Sequence, residues 1–361
     1  EKETDQAFSS QHTSNFPELL RRLGISVMVS TYQAGKLIFL RAEAEILNTH
    51  FRNFYSPMGM AYDGGSGRLG IGTKHKVLEF RNQPEVAPKL EPAGQCDAAF
   101  LPRAAHETGD IRIHEIGWIG RELWAVNTRF SCLCTFDGDH SFVPRWRPRF
   151  ISALAPEDRC HLNGMAIADG RVKLVSCLGA VDTPGGWREN KRSGGLILDV
   201  DSGEVVASGL SMPHSPRIYG GKVWLLESGH GTLSALDIQT GQTTIIARMP
   251  GFTRGLDFFG NLAFIGLSQV RETAIFSGIP LVEELPESER VCGIYVLDIR
   301  TGETVAFLRF EGIVQEIFAV QVLHGIRFPD LINEPGDILD SSFVLPDEAL
   351  DDVPKELRSG A

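Results

Sequence analysis

The chain has 361 residues, 42% of them hydrophobic, and a formal net charge of −11. That balance argues against nucleic acid as a general partner, because no excess of Lys and Arg is present to neutralise phosphates. No apolar run reaches the roughly 18 residues of a membrane helix, and a mean hydropathy of −0.06 fits a globular domain.

Residues 1–15 are expected to be a flexible arm, and residues 16–23 (FPELLRRL) a short amphipathic helix. Residues 26–31, 36–41 and 46–51 then read as three strands with no inner partner. From Met58 onward one phrase repeats: apolar strand, Gly turn, apolar strand, loop, a strand ending near an Asp, a Thr-Gly or Ser-Gly turn, and a last strand. Copies start at Met58, His114, Asn163, Ser215 and Arg254. Val, Ile, Leu and Phe fill the strands, and Gly, Asp and Asn bound them. Four short strands repeating at about 50 residues is the arithmetic of a β-propeller. Residues 314–323 then form a lone inner strand. Pairing it with the three N-terminal strands completes a sixth blade, closes the ring and hides both edges. The expected fold is therefore all-β: one six-bladed β-propeller over residues 16–331, with an irregular acidic tail over residues 332–361.

Four long segments, residues 82–110, 144–160, 178–193 and 269–291, are expected on the face where the inner strands begin. Long loops in a compact domain are often functional. His114, His161 and His214 open three successive repeats on that same face. If the ring closes, their imidazoles converge near one mouth of the channel. With Glu316 from the closing blade they make a plausible ligand set for a divalent transition metal: zinc, iron or copper. Glu316 is the fourth ligand or the general base. Arg254 and Asn163 are expected to position substrate beside it. Asn127, Arg129, Arg217, Trp187 and Arg103 are the remaining candidates for substrate contact. Strand alternation gives Arg217 the opposite parity to His214, which directs it toward a neighbouring blade. For any single histidine the plainer reading is a hydrogen bond to a backbone carbonyl or a water. No H-E-x-x-H or Cys/His knuckle accompanies the three.

Six cysteines (Cys96, Cys132, Cys134, Cys160, Cys177 and Cys292) are scattered without framework spacing, which predicts a reducing, cytoplasmic setting. The leading functional expectation is a metal-dependent enzyme, oxidative or hydrolytic, acting on a small polar molecule or a peptide side chain. The alternative is a non-catalytic propeller that binds a peptide or protein partner on the same face.

The phrases VSTYQAGKLIFL, NTRFSCLCTFD, FVPRWRPRFISALAPEDRCHLNGMA, DTPGGWREN, GLSMPHSPR and PGFTRGLDF are distinctive. Together they resemble a bacterial family of hypothetical proteins of unknown function, over roughly residues 16–331. The resemblance implies one intact domain and no particular reaction. A looser likeness links the ring to six-bladed gluconolactonase-like calcium hydrolases and strictosidine-synthase-like proteins. Those calcium enzymes use oxygen-rich mouths, whereas a histidine-rich mouth implies a softer metal.

Overall fold

A computed structural model describes residues 8–270 and 277–358. Six sheets follow one another around a central channel. Blade 1 carries Ala319–His324 innermost, then Ile25–Thr31, Lys36–Glu43 and Ile46–Asn53. Blade 2 runs outward through Met60–Asp63, Arg68–Gly72, Lys76–Asn82 and Ala98–Glu107. Blade 3 has Ile113–Ile119, Glu122–Asn127, Cys132–Thr135 and Val143–Trp146; blade 4 has Leu162–Ala168, Arg171–Cys177, Gly195–Asp199 and Val205–Leu210. Blade 5 has Pro213–Tyr219, Lys222–Glu227, Thr232–Leu236 and Thr243–Arg248; blade 6 has Phe252–Phe259, Leu262–Ser268, Cys292–Asp298 and Thr304–Phe310. The protein is thus a six-bladed β-propeller, closed where Ile25–Thr31 pairs antiparallel with Ala319–His324.

The strands are apolar on both faces because each blade is packed between two others. Blade 1 makes this plain. Val27, Val29, Ile38 and Leu40 join one buried cluster with Phe264, Ile294 and Val296 of blade 6. The intervening Met28, Leu37 and Phe39 join another with Leu69, Ile71 and Phe80 of blade 2. The helix Phe16–Leu23 caps the seam between blades 1 and 6 with Phe16, Leu19 and Leu20. It ends at Gly24, whose left-handed backbone (φ 66°) suits glycine.

Three expectations need revision. The residues read as an arm lie partly outside the described residues, and Ser10–His12 pairs as an added edge strand on blade 6. Residues 314–318 approach the channel as irregular chain, so the closing strand begins only at Ala319. The segment over residues 82–110 is not a mouth loop. It contains the outermost strand of blade 2, and the loop before that strand joins third to fourth strands, which places it on the opposite face. The other three long segments lead into an inner strand or join second to third strands, so they do share the mouth face; residues 271–276 of the last lie outside the described residues.

Candidate functional site at the channel mouth

Each blade hands a hydrogen bond to the backbone that begins the next inner strand. Ser30 Oγ donates to Met58 O (2.6 Å), Thr128 Oγ1 to Leu162 O (2.5 Å), and Asn163 Nδ2 to Pro213 O (3.0 Å). Ser228 Oγ donates to Thr253 O (2.5 Å) and Ser268 Oγ to Ile317 O (3.1 Å). Between blades 2 and 3 the backbone N–H of Gly59 does the same to Ile113 O (3.3 Å). Six junctions, six clasps: the ring is sewn at its mouth by buried polar groups that would otherwise lack partners.

The histidines build on these clasps. His114 Nδ1 lies 2.8 Å from Thr128 Oγ1 and 3.2 Å from Arg112 O. His214 Nδ1 lies 2.9 Å from Ser228 Oγ and 3.0 Å from Met212 O. Both hydroxyl protons are already committed to carbonyls, and a carbonyl can only accept. Each Nδ1 must therefore carry the proton and donate. His161 Nδ1 faces Asp158 Oδ1 at 2.8 Å, which fixes the same tautomer. In the neutral rings Nε2 is therefore the nitrogen that carries the lone pair. Burial first, then the charge of Arg254, pushes the His114 and His214 imidazoles well below the ordinary histidine range.

The three do not occupy one repeat position. Arg112, His161 and Met212 share a left-handed backbone (φ 54°, 51° and 48°) two residues before His114, Asn163 and His214. His161 is therefore the counterpart of Arg112, and Asn163 the counterpart of His114. The rings of His114 and His161 meet edge to face at 4.7 Å, and Trp187 packs on His161 at 4.4 Å.

Arg254 lies beside them, its guanidinium 3.5 Å above the Phe318 ring and 3.3 Å from Glu316 Oε1. Burial lowers this guanidinium to about 10, although Glu316, Glu115 and Tyr32 pull the other way. Burial raises the Glu316 carboxyl, with Arg254 opposing. A cavity of about 20 Å³ is bounded by His114, His214, Arg254, Asn163, Glu115 and Arg217. That is room for about one water.

The expected metal set of His114, His161, His214 and Glu316 does not assemble. Among the described residues, no group of three or more His, Cys, Asp or Glu could hold a metal ion. Glu316 is turned to Arg254, and a cation already stands beside the imidazoles. Asn163 is consumed by its clasp and by Ser176 Oγ, which donates to its Oδ1 at 2.6 Å. Asn127 Oδ1 accepts from Phe130 N, leaving its buried Nδ2 unpartnered. Arg217 lies deeper, where it pairs with Glu115 and donates to Leu256 O (3.0 Å). Arg103 is far from the mouth, exposed on the outer strand of blade 2. Trp187 and Arg129 do lie on the mouth face.

Sequence reasoning passed over Asp158 and Phe318 and gave Thr128 and Ser228 no role of their own. A hydroxyl just past the second strand of blades 3 and 5 was the visible signal for the last two. It also missed a second polar ring below the first. Glu115 Oε2 accepts Met165 N (3.0 Å), Asp257 Oδ2 accepts Val322 N (2.7 Å), and Gln321 Oε1 accepts Tyr62 N (3.2 Å). Trp118 Nε1 donates to Ala61 O (3.2 Å).

Fold and mouth together define a closed six-bladed propeller whose polar channel is lined by clasped histidines and one buried arginine. The chain belongs to the family described as "Domain of unknown function (DUF4915)", whose model matches residues 14–332. No curated protein matches it. Among solved structures it is similar to a chain of the "Crystal structure of Nidogen/Laminin Complex", with a TM-score of 0.53 at 8% identity, covering 83% of this chain and 99% of that one. That likeness is one of fold alone.

Proposed function

We propose that the mouth is the active site of an enzyme acting on a small molecule that carries a carboxylate. The observation that carries this is the buried Arg254 guanidinium beside imidazoles whose Nε2 lone pairs are bare. A guanidinium binds a carboxylate through paired hydrogen bonds. Its nearest anion, Glu316, sits at 3.3 Å and is itself mostly buried. His161 is the general base: Nε2 takes the proton and Asp158 steadies the imidazolium that results. The cavity beside Arg254 has room for little more than a water, so the substrate lies mainly out among the mouth loops, on the side of His161 and Trp187. Six buried, unpaired thiols support a cytoplasmic setting as part of this reading.

The test is a thermal-shift panel of small hydroxy- and oxo-carboxylates against the wild type, Arg254→Gln and His161→Asn. At least one acid raises the wild-type melting temperature, and a ligand at 100 times its Kd adds about 2.7 kcal/mol. Arg254→Gln loses that shift. His161→Asn keeps it and loses turnover. Failure of every acid, or an undiminished shift in Arg254→Gln, removes the proposal.

A zinc, iron or copper enzyme is the second reading: although the described residues bring together no group of three or more ligands, the fixed tautomers favour it, because a ligating histidine typically donates its other ring N–H to a neighbour. Elemental analysis of untagged protein beside His161→Ala separates the two. Near-stoichiometric metal that falls in the variant favours it. No metal after reconstitution ends it, and failure of both readings leaves a scaffold for a peptide or protein partner.

A further inference from the structure

A second polar recess opens beside the mouth, enclosing about 290 Å³ and bounded by Arg112, Arg129, Arg188, Glu157, Asp158 and Gly185. Two of the long loops supply its walls, residues 156–158 and 184–188, while Arg112 and Arg129 come from blade 3. Three guanidinium groups face it, with side-chain exposures of 42%, 30% and 44%. The carboxylates available to them are few. Glu157 is taken by Arg159 at 2.8 Å. Asp158 is divided among His161 (2.8 Å), Arg112 (3.0 Å), Trp187 Nε1 (3.3 Å) and Arg188 (3.4 Å). Arg129 uses Nη2 on Asp110 at 2.6 Å, and its Nε is buried with no acceptor.

Guanidinium N–H groups therefore outnumber acceptors around this recess. We infer that it is a binding site for the phosphate of a phosphomonoester. A dianionic phosphate offers several strong acceptor oxygens to forked donors from three directions, more than one carboxylate can. The volume exceeds that of the ion alone, which leaves room for the first atoms of an ester. Arg188 is held for this role by stacking on Trp187, 4.4 Å from its ring centroid. The site needs no reaction at the mouth, so it stands or falls apart from the reading above.

Calorimetric titration of the full chain with inorganic phosphate and with glycerol 3-phosphate tests it, using acetate and glycerol as controls. Both phosphates bind one saturable site, and added salt weakens them. Arg129→Gln, which loses one charge-assisted contact, and the double variant Arg112→Gln/Arg188→Gln, which loses two, each weaken phosphate by about tenfold or more. Because Arg129 also ties down Asp110, Arg188→Gln alone serves if Arg129→Gln fails to melt cooperatively. Absence of saturable phosphate binding overturns the inference, as does equal affinity in the variants. Acetate binding as tightly as phosphate overturns the assignment to phosphate.

Discussion

At the scale of single residues, the mouth histidines serve two purposes. Through Nδ1–H, His114 and His214 complete the hydroxyl clasps; through Nε2 they face the channel. Replacing Ser228 by Ala removes both the donor to Thr253 O and the acceptor for His214. The cost should be about 1–3 kcal/mol, the range for stranding a buried polar partner, read from denaturant midpoints. The same rings set a pH dependence. His114 and His214 titrate well below the ordinary value near 6.5 when folded, so below that value the unfolded chain binds more protons. Their contribution is fully present above about pH 6.5 and is lost as pH falls toward the folded values, by about 1.4 kcal/mol per pH unit for each ring. The raised carboxyls of Glu316 and Asp257 act in the other sense, stabilising at low pH and losing that effect as pH rises through their folded values. Stability measured from neutral pH down through the histidine range should therefore fall more steeply in the wild type than in His214→Gln.

At the scale of elements, the strands were legible and the sites only in part. Apolar runs punctuated by Gly turns mark each blade, because the inner strands are covered on both faces while the outermost are partly exposed. The closing strand was legible because three N-terminal strands lacked a partner. Its start was not, because residues 314–318 are as apolar as a strand yet run irregularly into the channel. Blade 2 misled because its outer strand, Ala98–Glu107, follows a long insertion and so resembled a loop. His161 was aligned with His114 by sight of the histidine. The repeat position is set by the left-handed residue two places earlier, which sequence does not display. Arg217, a substrate-contact candidate whose parity pointed elsewhere, lines the small cavity while paired with Glu115. It belongs to the lower ring, where Glu115→Ala would remove its carboxylate partner and the acceptor for Met165 N. The pair is partly exposed and Arg217 keeps Leu256 O, so the loss should be about 1–3 kcal/mol, read as a lower melting temperature.

At the scale of the whole molecule, both chain ends are used to hide edges. Ser10–His12 covers blade 6, Pro329–Leu331 covers blade 2, and Ala319–His324 closes the ring. Asp330 fixes the return by pairing with Arg52 (2.6 Å) and His50 (2.8 Å). Truncation after residue 312 removes both C-terminal strands together with the Asp330 pairs and should abolish the cooperative transition. Truncation before Ser342 removes residues such as Phe343, which is 80% exposed. It should change stability by less than about 0.5 kcal/mol, as expected for surface positions. Calorimetry of the two truncations separates the closed ring from its tail.

The central claim is that three imidazoles with Nδ1–H fixed present Nε2 at the channel mouth, as lone pairs in the neutral His114 and His214. Long-range ¹H–¹⁵N NMR of histidine-labelled protein at neutral pH tests it most directly, with His114→Gln, His161→Asn and His214→Gln giving the assignments. His114 and His214 should show the Nδ1–H tautomer with Nε2 unprotonated, and His161 a protonated Nδ1. An Nε2–H tautomer at any of the three, or a doubly protonated ring at His114 or His214, would contradict the account.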